Sequence, residues 1–166
     1  MDLDPGEGVP WPAVINAARA VRARFEDAGL ASFVKTSGGK GLHVVAPLKP
    51  TEAAGWDRVK GFAAAMARSM AEAEPDRYVA TITKAKRTGR ILLDYLRNGR
   101  NNTVIVAYGA RARPGAPVSM PLDWDELGPE IGPAPFTVAN APARVANAPD
   151  PWAGFRAAAR PLLAEA

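Results

Sequence analysis

Asp2 and Asp4 stand two positions apart with Leu3 between them and Pro5-Gly6 directly after. Strand side chains alternate, so in an extended segment both carboxylates project from one face and Leu3 from the other. A third acid, Asp94, interrupts the apolar run ILLDYL (91–96), where an unpaired charge is costly. If that run is a strand beside the first, Asp94 reaches the same edge. Two unit charges about 4 Å apart repel by about 4 kcal/mol at an effective dielectric near 20, so such a cluster calls for cations. Oxygen-only donors suit Mg²⁺ or Mn²⁺, and a pair of such ions is a common device of phosphoryl transfer. Plainer readings stand beside this one. The first two acids suit a solvated terminus, and Asp94 suits a salt bridge to Arg97 or Arg90. A calcium loop of the EF-hand kind is excluded, because Gly6 and Ala13 occupy positions that need an acid or Asn and a Glu.

The loop KTSGGKGLHV (35–44) carries the second kind of chemistry. Gly38, Gly39 and Gly41 let backbone N–H groups turn toward an anion. Lys35 and Lys40 add charge, Ser37 a hydroxyl, and His43 is the one histidine of the chain. The GxxxxGK[ST] spacing is missing, so this is no P-loop; the alternative is an ordinary glycine hairpin with solvated lysines. Lys84, Lys86, Arg87 and Arg90 precede Asp94, and Arg111 and Arg113 follow a β-rich run. Charge runs are commonly solvated faces, yet each of these abuts an expected strand end, and arginine forks suit phosphate oxygens.

These groups need elements to hold them. The 166 residues, 48% of them hydrophobic, suit a single domain with a real core. A net charge of +4 fits a phosphate-bearing partner. Without cysteine there is neither a disulfide framework nor a thiolate metal site. No apolar run is long enough to span a bilayer, and no signal-peptide pattern opens the chain, so a cytoplasmic protein without membrane contact is the expectation. Residues 2–8 read as a short strand and turn. Val14, Ala17, Ala18, Val21 and Phe25 recur at helical spacing up to a stop at Gly29. Strands follow on both sides of the glycine loop. A second helix carries Trp56, Val59, Phe62, Ala63, Met66 and Met70 as its buried stripe. Residues 78–90 fit strand or helix; 91–96 form a buried strand, and TVIVAY (103–108) pairs back on it. From 111 to 166 the chain is proline-rich, wraps the 1–110 core, turns briefly helical at 123–127 and ends in a helix over 151–165 kinked at Pro161. The order predicts an α/β (α+β) fold, a mostly antiparallel sheet with helices packed on one face, arranged like an RNA-recognition motif but without its aromatic signatures.

Four segments, DLDPGEG, SGGKGLH, KAKRTGRILLDYLRN and ARARPGAPVSMPLDWDEL, closely resemble the polymerase domain of bacterial DNA ligase D, a branch of the archaeo-eukaryotic primase superfamily. They occur in the family's order, and the similarity runs from Asp2 to about Trp152. The resemblance implies that Asp2, Asp4 and Asp94 are the metal-binding catalytic acids. It places Ser37, Lys40 and His43, on the loop with Gly38 and Gly39, at the phosphates of an incoming nucleotide, and Arg87, Arg111 and Lys84 near its triphosphate. The implied reaction is nucleotidyl transfer to a DNA primer end with Mn²⁺ or Mg²⁺ during non-homologous end joining. In the family roughly half of the domain precedes the first acid pair. Hence this chain is expected to pair with an N-terminal half, a ligase or a copy of itself, or to be a piece of a longer enzyme. Ala107 and Gly109 stand where the family pattern has proline and serine. A non-catalytic module that binds nucleotide or DNA ends is the alternative expectation.

Overall fold

The computed structural model describes residues 1–51 and 55–162. In chain order they form β1 (Asp2–Pro5), α1 (Trp11–Asp27), β2 (Phe33–Thr36), β3 (Leu42–Val45), α2 (Trp56–Ala73), β4 (Tyr78–Val79), β5 (Ile91–Asp94), β6 (Pro121–Leu122) and α3 (Ala141–Asn147). Single 3₁₀ turns lie at Lys84–Lys86, Leu96–Asn98 and Trp124–Glu126. The strands make one sheet in the order β4-β5-β1-β3-β2-β6, antiparallel except for β4 with β5.

Local chemistry explains the helices. Pro12 sits in the first turn of α1, where a missing N–H costs nothing. The helix closes on Gly29 at φ 71°, with the Gly29 N–H donating to the Glu26 carbonyl and the Leu30 N–H to Phe25. That paired C-terminal bond pattern needs a left-handed residue, which glycine supplies without strain. Val14, Ala17, Ala18 and Val21 of α1 and Met66, Ala67 and Met70 of α2 share one core with Leu3, Leu42, Val44 and Leu93 of the sheet. The Phe25 and Phe62 rings stack across the helix pair, 6.3 Å between centroids. Both helices therefore cover one face, as the pattern of apolar spacing predicts; the opposite face mixes polar groups with Leu92 and with Phe33, on which Trp152 and Phe155 pack. Trp56 departs from the expected stripe. It is the first residue of α2 and remains 57% exposed.

Two further expectations are corrected and one open reading is resolved. Residues 103–106 form no strand, because β5 already has β1 on one side and β4 on the other and offers no free edge; Val104 and Val106 stay exposed. The ambiguous 78–90 segment divides into the two-residue β4 and a 3₁₀ turn. Residues 151–158 form successive turns instead of a helix, and 163–165 lie outside the described residues. Helix appears earlier, in α3, which starts at Ala141-Pro142. The brief helical turn near 123–127 is present, closed by a capping box between Asp123 and Glu126. After Arg111 the chain folds back on the sheet: β6 pairs with β2, Trp152 donates from Nε1 to the Val34 carbonyl, and its ring stacks on Phe155.

Candidate functional site

Strand register, not proximity in sequence, builds the site. Asp94 of β5 faces Asp2 of β1, Asp2 faces His43 of β3, and His43 faces Lys35 of β2. One row of four polar side chains thus crosses the sheet on the face opposite the helices. Asp4, two residues beyond Asp2, shares that face, while Leu3 between them is fully buried in the core.

Each member has a defined partner. His43 Nε2 lies 3.4 Å from Asp2 Oδ1. Lys35 Nζ is 3.0 Å from His43 Nδ1, and it donates to Ser119 Oγ at 2.6 Å and to the Ile105 carbonyl at 3.0 Å. Arg87 Nη2 bonds Asp4 Oδ2. Asp94 accepts from the Leu96 N–H at 2.9 Å and meets Arg97 Nε at 3.5 Å. The simple salt-bridge reading of Asp94 is therefore realised, through Arg97, in the same arrangement that sets it beside Asp2. Burial, and next the Asp94 carboxylate, push the Asp2 carboxyl up to about 6. Burial also takes His43 down to about 3, with the Lys35 ammonium adding to the effect, and Lys35 down to about 8.

The glycine loop closes one wall of a cleft of about 540 Å³ over this face. A Cβ on Gly41 would overlap the Leu3 carbonyl oxygen, so β1 and the loop approach closely only because that residue is glycine. The Ser37 hydroxyl accepts from the Gly41 N–H, and its carbonyl accepts from Arg111 Nη1 at 3.0 Å. Gly38, at φ 65°, lies under the Arg111 side chain instead of lining the cleft.

Most of the expected residues converge. Asp2, Asp4, Ser37, Gly39, Lys40, His43, Lys84, Arg87 and Arg111 all line the cleft, with Arg111 on the glycine loop and Arg87 against Asp4. Asp94 stands in the row but opens on an adjoining, more apolar groove of about 160 Å³ shared with Met1, Phe25 and Phe62. Arg97 and Arg113 also line the cleft; the sequence marks Arg113 only as part of a basic run, and Arg97 only as a salt-bridge partner for Asp94. Ser119 and the Ile105 carbonyl escaped sequence reasoning because only the fold brings residues 105 and 119 to Lys35.

The donor set suits a hard divalent cation in kind. Asp2 and Asp94 are carboxylates side by side, and their mutual repulsion is what a cation relieves. In this conformation, among the described residues, no three such groups stand ready as ligands: Arg87 claims Asp4 and Arg97 claims Asp94. Arg87 Nε is buried with no partner among the described residues, so the basic side of the cleft keeps an unsatisfied donor.

The family described as LigD, primase-polymerase domain, matches residues 1–152. "Multifunctional non-homologous end joining protein LigD" of Pseudomonas aeruginosa is 38% identical over 157 residues, 93% of this chain and 18% of that protein. The "Multifunctional non-homologous end joining DNA repair protein LigD" of Mycobacterium tuberculosis is 39% identical over 127 residues, 76% of this chain and 16% of that protein. The solved "Polymerase Domain from Mycobacterium tuberculosis Ligase D in complex with DNA" superimposes with a TM-score of 0.87 at 33% identity, over 95% of this chain and 54% of that one. The chain thus spans about half of the solved domain and under a quarter of these longer relatives.

Proposed function

Because this chain belongs to the LigD primase-polymerase domain family, we propose that it carries the nucleotide-handling part of a nucleotidyltransferase that extends a DNA primer end during end joining. One observation supports this above the others: acids from β1 and β5 and the basic glycine loop share one face of one sheet. Lys40, Lys84, Arg87 and Arg111 neutralise an incoming triphosphate, whose oxygens match the arginine forks. The Ser37 hydroxyl and the loop backbone bear on the same anion. The primer 3′-oxygen bonds to the α-phosphorus, the hydroxyl proton leaves, and the bond to the pyrophosphate oxygen breaks.

Asp2, Asp4 and Asp94 are the residues that would hold Mn²⁺ or Mg²⁺. Such ions lower the pKa of the attacking hydroxyl and neutralise the departing charge. For the acids to serve, Asp4 and Asp94 must exchange their arginines for cations. A triphosphate that engaged Arg87 would free the Asp4 carboxylate, which would then be available to hold the ion. Because the solved relative is longer, this chain works together with a complementing N-terminal half, a ligase or a second copy of itself.

The test mixes the chain with Mn²⁺, primer–template and labelled ribonucleotides, with and without a separately supplied N-terminal half. Extension in either mixture, lost in Asp94→Ala, is the expected result; none in both would sink catalysis. The arginine-held acids favour a second reading, a module that binds nucleotide or DNA ends without turnover. Calorimetry separates the two. Triphosphate binding that needs Mn²⁺ and falls at least about tenfold in Asp94→Ala supports the first. Metal-independent binding that follows only Lys40 and Arg87 supports the second.

A further inference from the structure

Lys35 is 3% exposed and yet carries three polar neighbours within hydrogen-bond reach: His43 Nδ1, the Ile105 carbonyl and Ser119 Oγ. An ammonium has three N–H donors and no acceptor. The Ile105 carbonyl can only accept. Ser119 Oγ has one hydrogen, and that hydrogen goes to the Thr36 carbonyl at 2.7 Å. Toward Lys35 the serine oxygen is therefore an acceptor as well. The third ammonium hydrogen is left for His43 Nδ1, which must then carry no proton of its own. In a neutral imidazole the remaining hydrogen sits on the other nitrogen, Nε2. This nitrogen faces Asp2 Oδ1 at 3.4 Å, on the cleft side.

We propose that Lys35 is a positioning residue that fixes His43 in the Nε2–H tautomer, so that the ring meets the cleft as a hydrogen-bond donor and not as a metal ligand. Orientation of a histidine through the bond made by its other nitrogen is a general device. Here the orienting group is a cation, held by the Ile105 and Ser119 oxygens. A ring protonated on Nε2 has no lone pair there for a divalent ion, so His43 is excluded from the ligand set beside it. It serves instead an anionic acceptor, either the Asp2 carboxylate or an oxygen of a phosphate lodged in the cleft. Lys35 itself lies behind the ring, in a buried layer that the substrate does not reach. The phosphate partner rests on the function proposed above; the tautomer does not.

His43 is the only histidine in the chain, so the ring nitrogens of a ¹⁵N-histidine-labelled sample give one unambiguous set of NMR signals. Near neutral pH and without metal, the expected pattern is a protonated Nε2 and an unprotonated Nδ1. A protonated Nδ1, or a fast average of the two forms, would overturn the proposal. In Lys35→Met the fixed pattern should give way to mixed tautomers; its persistence would mean that Lys35 does not set it. Should that variant fail to fold, the unsubstituted chain still decides. A slowly exchanging Lys35 ammonium signal with an Overhauser contact to the His43 ring is expected, and its absence counts against the link. In the presence of Mn²⁺, Lys35→Met should weaken nucleoside triphosphate binding about tenfold, the value of one charge-assisted bond at the end of the relay. An intact tautomer without any triphosphate binding would remove the proposed function and leave the positioning role standing.

Discussion

Asp2 and His43 touch, and their surroundings drive their protonation in opposite directions. Burial and Asp94 raise the Asp2 carboxyl from 3.8 to about 6. The stability it contributes is therefore complete below its unfolded value and is lost as pH rises through 6, an effect on the order of 3 kcal/mol. Burial lowers His43 from 6.5 to about 3, so its contribution is complete above 6.5 and is lost as pH falls toward 3. In the metal-free protein the two slopes offset each other between about pH 4 and 6. Single substitutions should separate them. In Asp2→Asn the melting temperature is expected to rise with pH over this range, and in His43→Gln to fall; parallel profiles would show that the groups are not coupled to folding as drawn. Arg87 permits a second test at this scale. Arg87→Ala frees Asp4, so Mn²⁺ alone should bind more tightly to the variant by calorimetry, while triphosphate affinity drops about tenfold for the loss of a charged fork.

At the scale of elements, β1 is only four residues long yet lies between β3 and β5 and brings both halves of the site together. Its closeness to the glycine loop depends on Gly41. Gly41→Ala drives a methyl group into the Leu3 carbonyl and is expected to cost about 1–3 kcal/mol or more by chemical denaturation. Gly61, inside α2, has open space around the same methyl. Gly61→Ala should therefore stabilise the protein by about 1 kcal/mol, the intrinsic preference of a helix for alanine. Opposite signs for two Gly→Ala changes separate close backbone approach from mere conformational freedom.

For the molecule as a whole, the accessible surface is 9312 Å², against about 7,900 Å² for a compact monomer of this mass. Part of the exposed surface is apolar. Val104 and Val106 are exposed, and Val104 lines the groove with Met1, Phe25 and Phe62 beside Asp94. The sheet edges contribute little to this, since β4 and β6 have two residues each and short edges pair weakly. Self-association through the groove is the expected behaviour of the isolated chain. Sedimentation velocity should show a mass above 17.5 kDa that grows with concentration and returns to monomer in Val104→Asp. A monomer at every concentration would rule this out.

The sequence by itself marked most of the residues that now line the cleft and most of the elements that carry them. Alternation placed Asp2 and Asp4 on one face, helical spacing marked α1 and the buried part of α2, and glycine density marked the loop between β2 and β3. These are local properties, set by backbone geometry and side-chain direction within a few residues. It could not reveal that β5 would lie between β1 and β4, which left residues 103–106 without a strand to join. Nor could it bring Ser119 and the Ile105 carbonyl to Lys35, or choose Arg87 for Asp4 and Arg97 for Asp94. Such pairings depend on which strand edges remain free and on which charges meet once the sheet has closed, and those are long-range consequences of the tertiary structure alone.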